Sequence, residues 1–123
     1  ASSITFRLQV EPEDLLLYAD EALITQVVTN LLKNAEEALI GQPQGEICVC
    51  AYADSQEAIY IEIANNGPTI PPEVVDNLFI PFFTTKAEGS GIGLSLSRQL
   101  MRLSGGSLTL LSASPVTFRM KFV

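Results

Sequence analysis

The stretch from Asp20 to about residue 40 constrains the fold more than any other. At about 100° per residue, Val27, Ile24, Ala35, Val28, Leu39 and Leu32 share one broad arc of a helix, and Gly41 and Pro43 stop it. Asp20 stands where an N-cap is needed, with a side-chain oxygen able to accept from an open N–H of the first turn. A helix with one apolar arc must lie on another layer, and the flanking segments indicate a sheet. Residues 4–10 alternate apolar and polar side chains, and Glu11-Pro12-Glu13-Asp14 breaks the run. Residues 15–18 predict a short second strand; 46–53 and 58–64 predict two more. In the latter, Ile59, Ile61 and Ile63 point one way and Tyr60 and Glu62 the other. Pro71-Pro72 opens a short helix to about Leu78, with Pro72 suited to its first turn. A second long helix is expected over 91–103, ended by Gly105-Gly106. Residues 107–111 and 116–122 close the chain as strands, Phe118, Met120 and Phe122 facing away from Arg119 and Lys121. Strands in adjacent pairs with helices between them predict an α+β fold. The expected architecture is a two-layer α/β sandwich, a mixed, antiparallel-rich sheet covered on one face by helices.

Composition narrows the function. A chain of 123 residues points to one domain, residues 1–123. Its net charge of −7 argues against nucleic acid, whose backbone needs clustered cations. No apolar run approaches the ~20 residues of a membrane span. The start lacks both Met and a signal peptide, and reads as a domain of a longer protein. Cys48 and Cys50, two apart on a strand, have Cα atoms about 7 Å apart, too far for a relaxed disulfide. That fits a reduced, cytoplasmic setting. With no histidine at all, the chain has no Ser-His or Cys-His nucleophile, no His-ligated metal and no histidine to phosphorylate.

Three segments carry candidate chemistry. Asn30 and Asn34 lie one helical turn apart at the edge of the apolar arc, with Gln26 a turn earlier. Alone, they read equally well as half-exposed polar residues. Asn65-Asn66-Gly67-Pro68-Thr69-Ile70-Pro71 follows a strand directly, placing a side-chain acceptor and close backbone at the mouth of a cleft. A purine wants such an acceptor beside flat apolar walls, although a plain turn explains the same residues. Third comes Phe79-Ile80-Pro81-Phe82-Phe83-Thr84-Thr85-Lys86, then Gly89-Ser90-Gly91-Ile92-Gly93-Leu94. Glycines before a helix offer free N–H groups and the positive end of its dipole to phosphate. Neither a Walker loop nor the dinucleotide fingerprint is present, because no Gly-Lys-Ser/Thr follows and the third glycine falls one place early.

In order and spacing, these segments resemble the ATP-binding catalytic domain of sensor histidine kinases, in the GHKL superfamily with its Bergerat fold. The stretch from Gln26 to Ala35 resembles the N box, Asn65 to Pro71 the first glycine box, Pro81 to Lys86 the F box and Gly89 to Ser95 the second glycine box. The resemblance covers nearly the whole chain, and the Phe-Phe-Thr-Thr-Lys form is similar to nitrogen-regulation-type sensor kinases.

The resemblance implies a function and a cast of residues. It implies ATP and Mg²⁺ as cofactors, with Asn34 as the metal ligand and Asn30 and Asn34 as the catalytic pair. It implies nucleotide contacts from Asn65, Gly67, Thr69, Ile70, Phe83, Thr85, Lys86, Gly89, Gly91, Ile92, Gly93 and Leu94. Sister ATPases of gyrase, mismatch-repair and chaperone type carry a glutamate at the Asn30 position to activate water, so little intrinsic hydrolysis is expected. The implied partners are a helical-hairpin dimerisation and phosphoacceptor domain and, through the full-length protein, a response regulator. No nucleic acid partner is expected, and dimerisation belongs to the hairpin, so this chain is expected to be a monomer. The implied setting is cytoplasmic, in a parent that could be membrane-anchored. Lys33, Glu36 and Glu37 are read as surface charge, with Glu37 close enough to the site to be watched. Three positions depart from the pattern: Asn65 replaces an aspartate, Thr69 a glycine, and Ser114-Pro115-Val116-Thr117 lacks the usual glycine-threonine step. Alternative readings are a stand-alone ATPase of this fold, an anti-sigma serine kinase, and a degenerate module that binds protein partners without turnover. Asn30 weighs against the first, and the F box and Thr-Thr-Lys segment against the second. The intact Asn34 and glycine-rich segment weigh against the third.

Overall fold

The computed structural model describes residues 3–83 and 93–122. The elements run β1 (Thr5–Glu11), α1 (Glu21–Ala38), β2 (Glu46–Ala53), β3 (Ile59–Asn65), α2 (Pro72–Val75), α3 (Gly93–Leu103), β4 (Ser107–Ala113) and β5 (Val116–Phe122). The five strands form one sheet in the order β1-β2-β3-β5-β4. Only the β1–β2 pair is parallel; β2–β3, β3–β5 and β4–β5 are antiparallel. The expected mixed, antiparallel-rich sheet with helices on one face is therefore what forms.

Local sequence explains the helices. Asp20 caps α1 by accepting from the Leu23 N–H at 3.0 Å. The arc of α1 buries Val27, Leu31 and Ala35 against Ile47, Ile63, Val116, Phe118 and Met120 of the sheet. Removing one such side chain, as in Leu31→Ala, costs about 2–5 kcal/mol. The helix ends where Leu39 N–H bonds back to the Glu36 carbonyl at 3.1 Å, Ile40 N–H to the Glu37 carbonyl at 3.3 Å, and Gly41 takes φ +79°, a left-handed conformation that glycine adopts without strain. On α3, Leu94, Ser97 and Met101 fall on one arc; Ser97 and Met101 are wholly buried.

Three expected elements differ. Residues 15–18 form no strand: Leu15 N–H closes a turn onto Pro12 O at 3.0 Å, and Leu16 and Tyr18 stand exposed. Only Leu17 of this run reaches the core, and β1 keeps the sheet edge to itself. The short helix α2 stops at Val75, short of Leu78. Asn77 turns its side-chain N–H onto the Glu73 carbonyl at 2.7 Å, and the chain continues in single turns through Ile80. At the other end, β4 runs two residues further than expected, past an irregularity between Leu110 and Ser112.

The far face of the sheet carries a polar and aromatic cluster. Tyr52 and Tyr60 stack with ring centres 5.2 Å apart, and the Arg119 guanidinium lies 4.0 Å over the Tyr60 ring. Tyr52 O–H donates to Glu62 and accepts from Arg119. Arg119 Nε stands 3.5 Å from Glu62 Oε2, an ion pair whose geometry makes no hydrogen bond.

Candidate functional site: an amide-edged cleft between α1 and the sheet

The C-terminal half of α1, the end of β3, the loop after it and the start of β5 enclose a cavity of about 460 Å³. Asn34 lines it from α1, Asn65 from β3, Thr69 and Ile70 from the loop, and Val74 and Leu78 from the α2 region. Val116 and Phe118 close its floor from β5. The cleft is thus a slot with apolar walls and amides at its edge, the shape of a site for a flat heterocycle with polar rim atoms.

Backbone geometry holds the loop in place. Asn65 is almost wholly buried and its Oδ1 accepts from the Gly67 N–H at 2.9 Å. That bond leaves the carbonyl a second lone pair. A Cβ on Gly67 would come within 2.8 Å of Asn65 Oδ1 and 2.9 Å of the Ala38 carbonyl oxygen, so the loop passes α1 too closely for any side chain. Asn66 fixes the outer side: its Oδ1 accepts from Glu46 N–H at 2.7 Å and its Nδ2 donates to Gln44 O at 2.9 Å. Ile70 N–H reaches Ala113 O at 3.3 Å, tying the loop to the β4 end.

Of the residues named from sequence, Asn34, Asn65, Thr69 and Ile70 come together in the cleft, with Gly67 shaping its edge. Asn30 does not line it. Its Nδ2 donates to Ser97 Oγ on α3 at 3.1 Å, and its Oδ1 accepts from Gln26 Nε2 at 3.1 Å. Phe83 is half-buried after a turn onto Ile80, Leu94 packs on the core, and Gly93 is the exposed first residue of α3. Thr85, Lys86, Gly89, Gly91 and Ile92 lie outside the described residues. Glu37, read from sequence as surface charge near the site, lines the cleft and is the one carboxylate among its described lining residues. Its position three residues beyond Asn34, on the same side of α1, was the available signal. Lys33 does not line it; it flanks a separate open groove with Ile4 and Ile40.

Sequence reasoning missed Val116, Phe118 and Leu78 as walls, and Ser97 as the partner of Asn30. Thr117 lies between Val116 and Phe118, outside the cleft lining, and its hydroxyl donates to Pro115 O at 3.0 Å. The displaced titrations fall on the far face of the sheet, away from the cleft. The Tyr60 hydroxyl bonded to Asp54 holds that carboxyl below its ordinary value, and burial, then the Glu62 hydrogen bond, pushes Tyr52 up.

Comparison with known proteins identifies the family and the fold. The family described as histidine kinase-, DNA gyrase B- and HSP90-like ATPase matches residues 19–123. The sensory histidine kinase/phosphatase NtrB of Rhizobium leguminosarum bv. phaseoli is 35% identical over 97% of this chain. The sensor protein FixL of Bradyrhizobium diazoefficiens is 35% identical over 86% of it. The chain spans only 35% and 21% of those two proteins. The catalytic domain of histidine kinase ThkA, solved nucleotide-free, superposes with a TM-score of 0.84 at 36% identity, covering 97% of this chain and 78% of that one. Among the described residues, no helix is long and apolar enough to cross a membrane. A five-stranded sheet under two long helices, an amide-edged cleft and these likenesses agree: the chain belongs to the histidine kinase-, gyrase- and HSP90-like ATPase family, as an ATP-binding domain of the sensor-kinase kind.

Proposed function

We propose that this domain binds Mg-ATP and supplies the γ-phosphoryl group for phosphorylation of a histidine on a separate helical-hairpin domain, in two-component signalling. The observation that carries the reading is the single cleft that gathers Asn34, Asn65, Thr69 and Ile70 between apolar walls. Its volume and apolar walls suit adenine, and the second lone pair of Asn65 Oδ1 suits the adenine amino group. Asn34 offers a hard amide oxygen, a ligand type that fits Mg²⁺ alongside phosphate and water oxygens. Bound there, Mg²⁺ would offset the triphosphate charge and orient its terminal group.

The protein's own residues then divide the work. Val116, Phe118, Leu78 and Ile70 exclude water from the base. Gly67 lets the loop close on α1. Asn30, a carboxamide with both ends bonded, cannot take a proton from water. Gly89, Gly91 and Gly93 with Lys86 are the candidates to hold the phosphates, and Phe83, Thr85, Ile92 and Leu94 to flank them. With no histidine in the sequence, the nucleophile must come from elsewhere, and the chain alone is expected not to phosphorylate itself on histidine. A ThkA structure in complex with the response regulator TrrA, 33% identical to this chain, supports a response regulator as the downstream partner.

Calorimetric titration with ADP and with a non-hydrolysable ATP analogue, with and without Mg²⁺, tests the reading on wild type and Asn34→Ala. Metal-assisted binding that disappears in the variant is expected. A folded wild type that binds neither nucleotide would leave a partner-binding module without turnover as the better reading.

A further inference from the structure

Cys48 and Cys50, the chain's only cysteines, carry an inference that does not depend on the nucleotide cleft. They occupy alternate positions of β2, so both point to the far face of the sheet. Alternate residues on a strand have Cα atoms about 7 Å apart. The two sulfurs are nevertheless 3.6 Å apart, so the side chains lean toward each other. Ala64 stands opposite Cys48 on β3 and leaves room, while Arg7 and Gln9 stand opposite on β1. The nearest charges are engaged elsewhere: Arg7 with Glu46 at 2.8 Å, and Glu62 with Tyr52 and Arg119. Both thiols are partly exposed, and the helices cover the opposite face. A strand bonded on both sides therefore holds two reachable sulfurs already converged.

That separation is the bite of a dithiol chelate. Two sulfurs on one soft centre at about 2.3 Å lie about 3.5 Å apart at the roughly 100° angle of a pyramidal trivalent arsenic, and about 4.6 Å apart when a two-coordinate Cu(I) holds them in line. We propose that Cys48 and Cys50 form a two-thiol chelation site for a low-coordinate thiophilic centre, of the Cu(I) or trivalent organoarsenical class. Among the described residues no group of three or more Cys, His, Asp or Glu is placed to hold a metal ion, so the four-coordinate preference of zinc is unmet. Cu(I) is selected by soft thiolates and takes the two sulfurs alone once their side chains open by about 1 Å to its linear geometry. Its binding forms two Cu–S bonds, releases both thiol protons and moves no electron. An arsonous acid, R–As(OH)₂, exchanges both hydroxyls for the two sulfurs, and each hydroxyl leaves as water with a thiol proton. Because chelation releases both thiol protons, it strengthens as pH rises.

The test adds phenylarsonous acid, and separately Cu(I) held by a competing chromophoric chelator, to the intact chain. Expected are one arsenical per monomer with loss of two waters, mapped to a peptide bridged between Cys48 and Cys50, and one Cu(I) per chain. Zn(II) in a third arm is expected to bind far more weakly. Cys48→Ser and Cys50→Ser should each weaken Cu(I) binding by about 100-fold or more, because the second sulfur acts at high effective concentration. A single-cysteine variant with wild-type affinity overturns the proposal. So does a wild type that takes up only singly attached arsenical, or whose adduct links two chains. These last two results need no variant, so a variant that failed to fold would still leave the question decided.

Discussion

Replacing Gly67 with alanine perturbs the cleft at its tightest point. The new Cβ would sit 2.8 Å from Asn65 Oδ1 and 2.9 Å from the Ala38 carbonyl oxygen. Relaxed carbon–oxygen contact needs roughly 3.4 Å or more, so the loop must retreat by about half an ångström. The Ala38 oxygen cannot yield, being main chain at the end of α1. Nor can the loop move outward freely, because Asn66 bonds to Glu46 N–H and Gln44 O on its other side. Overpacking of this kind costs about 1–3 kcal/mol, and losing the Gly67–Asn65 bond adds about 1. The sum of roughly 2–4 kcal/mol corresponds to a fall of roughly 6–16 °C in Tm for a domain of this size. Urea denaturation and thermal melting read the stability, and calorimetric titration with ADP reads the cleft, which should lose affinity as Asn65 is displaced. Gly93→Ala is the control: among the described residues nothing lies within 4 Å of its added Cβ, so it should hold or gain stability. If Gly67→Ala melts with wild type and binds ADP equally well, the close-approach argument is wrong.

Two further perturbations probe the surroundings. Ser97→Ala strands the Asn30 amide hydrogen against a wholly buried site and should cost about 1–2 kcal/mol in urea denaturation. An unchanged midpoint would mean that the Asn30–Ser97 bond adds nothing to folding. Tyr60→Phe removes the main cause of the depressed Asp54 pKa. A depressed carboxyl stabilises the fold above its unfolded pKa, and that contribution is lost as pH falls through the folded value. The variant should therefore be less stable than wild type at neutral pH, with the gap closing below the ordinary carboxylate range. A gap that stays constant into acid would show that the hydroxyl does not act through the Asp54 charge.

Where local patterning decides structure, the sequence was sufficient. Strands 46–53 and 116–122 form at the expected bounds, and Asp20 caps α1 as its residue type allows. The failures have tertiary causes. Leu15 to Tyr18 has the apolar composition of a strand, but a strand needs a neighbour, and the turn onto Pro12 carries it off the β1 edge. In the cleft, Asn34 and Asn65 were legible because each sits at a marked place, the edge of an arc or the end of a strand. Val116 and Phe118 were not, because their role depends on β5 lying beside β3 with Val116 opposite Asn65. Ser97 did leave a trace, a lone hydroxyl on the apolar arc shared by Leu94 and Met101, which asks for a polar partner across the helix interface.

The contrast between Asn30 and Asn34 shows how one residue type takes two roles a single turn apart. Asn34 faces the cleft, whereas Asn30 faces α3 and spends both ends of its amide on Gln26 and Ser97. Packing alone does not demand an amide at position 30. An aspartate there would still find two donors, because Gln26 Nε2 already donates and the Ser97 hydroxyl can turn to do so. Asn30→Asp is therefore expected to fold, with the same α1–α3 contact and a carboxylate beside the phosphate end of the proposed site. Its ATPase rate, measured against wild type by phosphate release, then isolates chemistry from architecture. A slow wild type and a faster variant would mean that the amide withholds a base from water. A wild type that already hydrolyses ATP rapidly would remove Asn30 from that role and leave Glu37, the carboxylate of the cleft, as the group to replace next.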